Sequence, residues 1–194
     1  MPKKVLVLLA EGFEEVEAVT PIDYLRRAGV EVVVAAIKKG LAVKGSHGIQ
    51  VAADASLDDL SGEGKLDPSF WDGVVVPGGL SGADNLAASK PVGDFLKGMA
   101  EAGKLVAAIC ASPARVLAPL GLLAGKKFTC YPGEEKNISP SHLTGAGRKE
   151  DRVVIDGNLV TSRGAGTAGE FAAAIIRELI GPEEAKKLAE KVLL

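Results

Sequence analysis

The chain has 194 residues, of which 47% are apolar and 25% are charged, and these proportions exclude a disordered, collagen-like or coiled-coil protein. Lysine and arginine total 23 against 25 acidic residues, and aromatic residues make up only 4%, which argues against nucleic acid as a main partner. A chain of this length fits a single domain, which we place at residues 1–194.

The N-terminal apolar run, residues 5–10, is shorter than the core of a signal peptide and is closed by Glu11. The longest weakly polar stretch, residues 105–125, contains Pro113 and Pro119, which disfavour a spanning helix. We therefore expect no membrane segment. Two cysteines without an export signal predict no disulfide framework and a reducing, cytoplasmic location.

Short apolar runs that favour strands alternate along the chain with stretches of helical periodicity. The predicted strands are residues 5–9, 30–36, 73–76, 105–109, 128–130, 153–155 and 159–161, and the predicted helices are residues 16–28, 91–102, 111–120, 169–180 and 182–192. Residues 37–51 are predicted to form a β-hairpin excursion, and residues 58–68 and 133–151 polar loops. Strands that are apolar on both faces and separated by helices predict an α/β fold, with a mostly parallel sheet covered on both sides.

Three predicted strands run directly into glycine or other small residues, at residues 10–12, 77–79 and 110–112. Ligands of such sheets bind beyond the carboxyl ends of the strands. We expect these three segments to converge at one edge of the sheet and to form the active site there.

Cys110 lies at the end of one of these strands, with the small residues Ala108 and Ser112 two positions to either side. A sharp strand-to-helix turn that presents a nucleophile needs small neighbours of this kind. The helix N-terminus would lower the pKa of the thiol and give a thiolate at neutral pH. A buried structural cysteine explains the same segment about as well.

The chain has only two histidines, His47 in the predicted hairpin and His142 in a predicted loop. Neither is placed by the sequence at the strand ends, so a Cys-His pair is not predicted.

Three glutamates begin the first predicted helix, directly after the first strand. Glu14 and Glu17 share a helical face and Glu15 points elsewhere, so one or two of the carboxylates can face the strand ends. Acidic residues in a first helical turn also complement the helix dipole, and from the residues alone that explanation is the simpler one.

The Gly78 and Gly79 pair allows the backbone to approach a ligand and, with the amide of Ala111, would form an oxyanion hole. A plain turn is the alternative. Residues 162–167 resemble a phosphate cradle but lack the lysine and the spacing of nucleotide-binding motifs, which disfavours nucleotide binding.

Four segments together resemble the ThiJ/PfpI superfamily, and within it the parkinsonism-associated DJ-one branch: AEGFEEVEAVTPIDYLRRAGV, VVVPGGLSGADNL, AAICASPARVLA and VTSRGAGTAGEFA. The resemblance covers nearly the whole chain and implies a flavodoxin-like or Rossmann-like three-layer sandwich. It implies that Cys110 is an oxidation-sensitive thiolate, that Glu17 is protonated and hydrogen-bonds the sulfur, and that Gly79 supplies a backbone amide to the same pocket.

The resemblance also implies a homodimer, with Arg27, His47 and Arg163 around a small anion pocket near its interface. Two positions depart from the family. Tyr131 stands where many eukaryotic relatives have a histidine near the cysteine, and His47 stands where an arginine of the anion pocket falls. If Tyr131 faces the site, Cys130 points away and is expected to be structural.

The implied activity is that of a cofactor-independent glyoxalase or protein deglycase acting on small 2-oxoaldehydes, such as methylglyoxal and glyoxal, or on their early adducts. Cys110 would form a hemithioacetal, and Glu17 would move the proton. The alternative is an oxidative-stress sensor or chaperone in which Cys110 is oxidised to sulfinate. A peptidase is the weaker reading, because Ala111 stands where the protease branch has a histidine. No metal site is expected.

Overall fold

The computed structural model describes all 194 residues. Its strands are β1 (Lys4–Leu9), β2 (Glu31–Ala36), β3 (Ala42–Lys44), β4 (Gln50–Ala52), β5 (Ala55–Ser56), β6 (Gly73–Val76), β7 (Leu105–Ile109), β8 (Lys127–Phe128), β9 (Gly147–Arg148), β10 (Val153–Asp156) and β11 (Leu159–Ser162). The helices are α1 (Glu15–Arg27), α2 (Leu57–Gly62), α3 (Leu80–Ala87), α4 (Lys90–Glu101), α5 (Ala168–Ile180) and α6 (Pro182–Val192).

Seven strands form the central sheet in the order β10-β11-β7-β6-β1-β2-β5, and β10 alone runs antiparallel to its neighbour. The chain moves outward from β1 in one direction to β2 and in the other to β6, so the strand order reverses between β1 and β6. A parallel sheet of this order is the flavodoxin-like arrangement, and ligands bind at the carboxyl ends of the strands beside the reversal point. The predicted α/β fold with a mostly parallel sheet is confirmed.

The strands alternate their side chains between two apolar layers, one on each face of the sheet. On one face, Leu6, Leu8 and Val76 pack against α2, α3 and α4. On the other face, Val7 and Leu9 pack against α1, α5 and α6. Helices therefore cover both faces, and the polar ends of the strands are left as the place where a site can form.

The predicted hairpin excursion is present as the antiparallel pair β3 and β4. Its tip, residues 45–49, lies against the end of β1, because the Gly12 amide donates to the Lys44 carbonyl (2.8 Å) and the Ser46 amide donates to the Phe13 carbonyl (2.8 Å). The hairpin thereby brings its tip to the strand ends where the active site was expected.

The structure corrects three predicted elements and adds one helix. The predicted strand at residues 128–130 is reduced to β8, which pairs with β9 outside the main sheet. The predicted helix at residues 111–120 contains a π-helical turn, Pro113–Leu117, followed by turns. The predicted loop at residues 58–68 contains most of α2, whose start is fixed by a capping box between Ser56 and Asp59. Helix α3 was not predicted.

None of the helices combines the length and the apolar character that crossing a bilayer requires.

Candidate active site

Cys110 occupies a sharp turn directly after β7, in a left-handed backbone conformation with φ of 66°. Only one other non-glycine residue of the chain has a positive φ. The turn is fixed on both sides, because the Cys110 amide donates to the Ser162 carbonyl (3.0 Å) and the Tyr131 amide donates to the Cys110 carbonyl (2.8 Å). A conformation that strains a side-chain-bearing residue and is over-determined by its neighbours is typical of functional sites.

Glu17 meets Cys110 from the first turn of α1, and its side chain is almost fully buried. Its carboxyl hydrogen-bonds the Cys110 sulfur and accepts a bond from the Gly78 amide (3.0 Å). Gly78 has no room for a side chain, since a Cβ there would collide with the Glu17 carboxyl and the Cys110 Cβ. The backbone of Gly78 therefore sets how closely the carboxyl and the sulfur approach.

Two backbone amides face the same sulfur. The amides of Gly79 and Ala111 both hydrogen-bond Cys110. Gly79 adopts φ of 85°, and a Cβ there would collide with the Gly12 carbonyl after β1. The three strand ends thus converge as expected, and they surround one sulfur with a carboxyl group and two amide donors.

The pKa values of the Glu17 carboxyl and the Cys110 thiol are both raised above the ordinary values of these groups. Burial raises the pKa of Glu17 to about 7, although its hydrogen bond with Cys110 works against the rise. Burial, the nearby Glu17 charge and the hydrogen bond with Glu17 raise the pKa of Cys110 to about 12, although the amides of Gly79 and Ala111 oppose this. The expectation that a helix terminus lowers the thiol pKa is wrong, since no regular α-helix follows the cysteine and burial dominates.

Because Glu17 and Cys110 share a hydrogen bond, they titrate as a pair. Between the two pKa values of about 7 and about 12, the pair carries one negative charge and one proton. A thiolate is present whenever that proton lies on the carboxyl. The nucleophile therefore depends on Glu17 to hold the proton.

A cleft of about 570 Å³ opens beside Cys110. Gly79 and Tyr131 line it together with His47 from the hairpin tip, and Glu14 and Glu134 contribute carboxylates. Tyr131 is half exposed, whereas the adjacent Cys130 is fully buried. The two residues thus point in opposite directions as expected, although an irregular segment and not a strand carries them.

The buried carboxylate of Glu15 fixes the hairpin tip to the start of α1. Glu15 accepts hydrogen bonds from the amides of His47 (2.7 Å) and Ile49 (3.3 Å), from the Ser46 hydroxyl (3.2 Å) and from His47 Nδ1 (3.0 Å). Burial alone would raise the pKa of Glu15, but these hydrogen bonds lower it to about 2. The sequence did not reveal this clamp, and it is what brings His47 to the cleft.

Arg27, His47 and Arg163 lie apart within one chain, and the anion pocket that the resemblance implies near a dimer interface stays a prediction. His47 lines the cleft, whereas Arg27 lies at the far end of α1, ten residues beyond Glu17, and pairs with Asp23 (2.6 Å). Arg163 donates to the Glu150 carbonyl (2.8 Å) and does not line the cleft.

Arg115 forms a part of the site that the sequence analysis did not single out. It extends from the π-helical turn, and its guanidinium pairs with Glu134 (2.7 Å) at the cleft wall and with Asp84 of α3 (2.8 Å). These pairs raise the pKa of Arg115 above its ordinary value. They connect the segment after Cys110 to Glu134 at the cleft and to α3, and no motif in the sequence predicts them.

The segment resembling a phosphate cradle satisfies its own polar groups. The Gly164 amide donates to Thr167 Oγ1 (3.1 Å), and this oxygen also lies 2.6 Å from the Ser162 hydroxyl. These bonds leave fewer donors for a phosphate, and the absence of nucleotide binding stays a prediction.

One group of side chains has the composition of a metal site. Donor atoms of Glu14, Glu15 and His47 all lie within 4.8 Å of one another. However, both Glu15 oxygens already accept hydrogen bonds, one of them from the His47 ring. A cation would have to break the clamp that holds the hairpin tip, so these residues fit a metal poorly.

Comparison with known proteins identifies relatives of this chain. The profile described as "DJ-1/PfpI family" matches residues 3–178. Protein DJ-1 homolog B of Arabidopsis thaliana is 44% identical over 98% of this chain, which spans 41% of that relative's length. Protein dj-1beta of Drosophila melanogaster is 42% identical and is matched over 98% of its own length.

The structure of oxidised Toxoplasma gondii DJ-1 superimposes with a TM-score of 0.88 at 41% identity, over 98% of each chain. A Bacillus subtilis relative, YraA, is 37% identical over 84% of this chain and 90% of its own length, and its name describes it as a candidate cysteine protease.

Proposed function

Because the chain belongs to the DJ-1/PfpI family, we propose that it is a cysteine-dependent enzyme of the glyoxalase or deglycase type. Its substrates are 2-oxoaldehydes such as methylglyoxal and glyoxal, or their early adducts with amines and thiols. The observation that carries the proposal is the hydrogen bond between the Glu17 carboxyl and the Cys110 sulfur, beside two amide donors and at the edge of a cleft. The reaction needs no cofactor.

The first step uses the proton that Glu17 and Cys110 share. With the proton on Glu17, the Cys110 thiolate attacks the aldehyde carbon and forms a carbon–sulfur bond. The aldehyde oxygen takes up the negative charge, which the amides of Gly79 and Ala111 stabilise. Glu17 then donates its proton to that oxygen, which gives a neutral hemithioacetal and leaves an ionised carboxylate.

In the second step, the Glu17 carboxylate removes the proton from the former aldehyde carbon and returns it to the neighbouring ketone carbon through an enediol. The first carbon is thereby oxidised to a thioester and the second is reduced to an alcohol, with no external electron acceptor. Water then cleaves the thioester, releases a 2-hydroxy acid and restores the thiol.

The proposal is tested by comparing lactate formation from methylglyoxal in the wild type, Cys110→Ser and Glu17→Gln. We expect a loss of at least about 10²-fold in each variant, because each removes a group that bonds or exchanges a proton with the substrate. Cys130→Ala is the matched control, since it removes the buried thiol that lies outside the cleft. Undiminished turnover in Cys110→Ser or Glu17→Gln would exclude this mechanism.

A second candidate function is favoured by the oxidised form of the Toxoplasma gondii relative. In a redox sensor or chaperone, the Cys110 thiolate would react with two molecules of peroxide to give a sulfinate and two waters, and Glu17 would hydrogen-bond the product. Mass spectrometry after mild peroxide treatment distinguishes the two functions. Addition of two oxygens at Cys110 in a protein that shows no aldehyde turnover would favour the sensor.

A peptidase has weaker support, in spite of the name of the Bacillus subtilis relative. Ala111 follows the cysteine directly, and the one histidine that lines the cleft comes from the hairpin tip. We expect no cleavage of an unfolded protein substrate under conditions in which methylglyoxal is consumed.

We also propose that two copies of the chain form a homodimer in the cytoplasm. Val16, Val19 and Ile49 are large apolar side chains that are about half exposed, and they lie on α1 and on the hairpin tip that α1 holds. A second copy that covers them would remove this apolar surface from water. Light scattering at micromolar concentration tests the proposal, and a mass near 19.9 kDa would contradict it.

A further inference from the structure

His47 is held in one orientation at the edge of the cleft that contains Cys110. Its ring Nδ1 lies 3.0 Å from Glu15 Oε2, and its backbone amide donates to Glu15 Oε1 (2.7 Å). Gly45 makes this arrangement possible, because a Cβ there would collide with the Glu15 carboxylate. With Nδ1 directed at the carboxylate, Nε2 is the ring nitrogen left to meet a molecule in the cleft.

The charges around the ring favour its protonated form. Glu15 and Glu14 face it from α1, and the hydrogen bond and the charge of Glu15 raise the pKa of His47 above its ordinary value. Within its own loop it also contacts the Ser46 hydroxyl (3.1 Å). Tyr131 and Glu134 also line the cleft, and the charge of Glu134 is paired with Arg115.

The proposed reaction moves more protons than Glu17 can carry alone. While Glu17 transfers a proton between the two carbon atoms, the ketone oxygen must gain a proton and the hemithioacetal hydroxyl must lose one. Tyr131 carries a phenol hydroxyl, which serves here as a hydrogen-bond donor and not as the base that an imidazole provides. His47 is the only histidine that lines the cleft.

We propose that His47, oriented by Glu15, is a second catalytic residue of this site and exchanges protons with the oxygen atoms of the bound intermediate. The inference rests on the proposed function and extends it to a residue that the family resemblance places only in an anion pocket. Glu15 acts through His47 and is therefore a positioning residue.

The protons balance over one turnover. As Glu17 removes the carbon-bound proton, protonated His47 donates its Nε2 proton to the ketone oxygen, which gives a neutral enediol. Glu17 then delivers its proton to the second carbon, and neutral His47 takes the hydroxyl proton from the first carbon, which leaves the thioester. His47 ends in the state in which it began, and the two oxygens of a cis-enediol are close enough for one ring nitrogen to serve both.

The kinetic test compares lactate formation from methylglyoxal in the wild type, His47→Gln and His47→Arg. Glutamine keeps a hydrogen-bond donor and arginine keeps a positive charge, but neither exchanges a proton near neutral pH. We expect kcat to fall about 10²-fold in both variants with KM nearly unchanged, whereas the control His142→Gln keeps wild-type values. Wild-type kcat in His47→Gln, or its recovery in His47→Arg, would overturn the inference.

The pH dependence provides a second readout. We expect wild-type turnover to decline at high pH as His47 loses its proton, and the declining limb to move to lower pH in Glu15→Gln. Because the chain has two histidines, proton NMR resolves the titration of His47 directly, and the spectrum of His142→Gln assigns its signal. A His47 midpoint that is the same in the wild type and in Glu15→Gln would overturn the positioning role of Glu15.

The two proposals fail in different ways. If the wild type forms no 2-hydroxy acid from methylglyoxal, from glyoxal or from their early adducts with amines and thiols, both proposals are wrong. If the wild type is active and Cys110→Ser is inactive, but His47→Gln retains wild-type kcat and pH profile, the proposed function stands and the role of His47 is rejected.

Discussion

Glu15 and Glu17 are two residues apart on one helix, and both are buried, yet their pKa values are shifted in opposite directions. Glu15 accepts four hydrogen bonds from the hairpin tip, and its pKa falls to about 2. Glu17 accepts one amide bond and faces a sulfur, and its pKa rises to about 7. Burial acts in the same direction on both, so the number of donors decides which carboxyl keeps a proton.

Because their pKa values differ, the two carboxyl groups have different roles. At the rim of the cleft, the ionised carboxylate of Glu15 holds the hairpin tip in place. At the floor of the cleft, beside Cys110, the carboxyl of Glu17 gains and loses its proton near neutral pH, as a proton carrier must. Three changes test whether the two regions really work in these different ways.

The largest effect is expected from the two glycines that make room for the carboxyl groups. Gly78→Ala places a methyl group against both Glu17 and Cys110, and we expect turnover of methylglyoxal to fall more than about 10²-fold. Gly45→Ala places a methyl group against Glu15 instead. We expect it to lower kcat less and to change the high-pH limb of the profile. Equal losses of kcat in Gly78→Ala and Gly45→Ala would show that Glu17 and Glu15 do not have distinct roles.

An intermediate effect is expected on stability, with opposite pH dependence for the two residues. The pKa of Glu17 is raised from 4.5 to about 7, so its contribution is complete below pH 4.5 and is lost as the pH rises toward 7. The pKa of Glu15 is lowered from 4.5 to about 2, so its contribution is present above pH 4.5 and is lost as the pH falls toward 2.

Thermal unfolding at pH 8 checks this prediction. Glu17→Gln should stabilise the protein by roughly 2–3 kcal/mol relative to its effect at pH 4. Glu15→Gln should destabilise it by about 1–3 kcal/mol, because it leaves buried donors unpaired. A Glu17→Gln variant whose effect on stability does not change between pH 4 and pH 8 would contradict the raised pKa.

The smallest effect concerns backbone strain at the floor. Because Cys110 has φ of 66°, we expect Cys110→Gly to be more stable than Cys110→Ala by about 1 kcal/mol in chemical denaturation. Cys130 has no positive φ. The order should therefore reverse at that position, with Cys130→Ala more stable than Cys130→Gly, and the same order at both cysteines would argue against strain at Cys110.

Most of the sheet could be predicted because its strands carry unambiguous local signals. The predicted bounds of β6 and β7 match the structure, since each is a fully buried run that begins directly after a polar residue, Asp72 or Lys104. Helix α3 escaped prediction because Gly79, Ser81 and Gly82 resemble a turn. Gly82 is small for a tertiary reason, since a Cβ there would collide with the Phe13 backbone.

The site was predictable only where it depends on neighbours in sequence. The elbow at Cys110 and the glycines after β6 could be read from small residues at strand ends. The position of His47 could not, because it depends on hydrogen bonds to a carboxylate 32 residues away. The direction of the Cys110 pKa shift was predicted wrongly, because the burial of a thiol is a property of the whole fold and the sequence does not display it.

The unequal exposure of the two sulfurs makes the chain a natural single-site substrate for covalent probes. Cys110 is partly exposed, and Cys130 lies wholly within the apolar layer. A maleimide dye should therefore attach once to the folded protein and twice after denaturation. The ratio of the two stoichiometries gives the folded fraction of any preparation, and a dye on the native chain marks the mouth of the cleft without engineering.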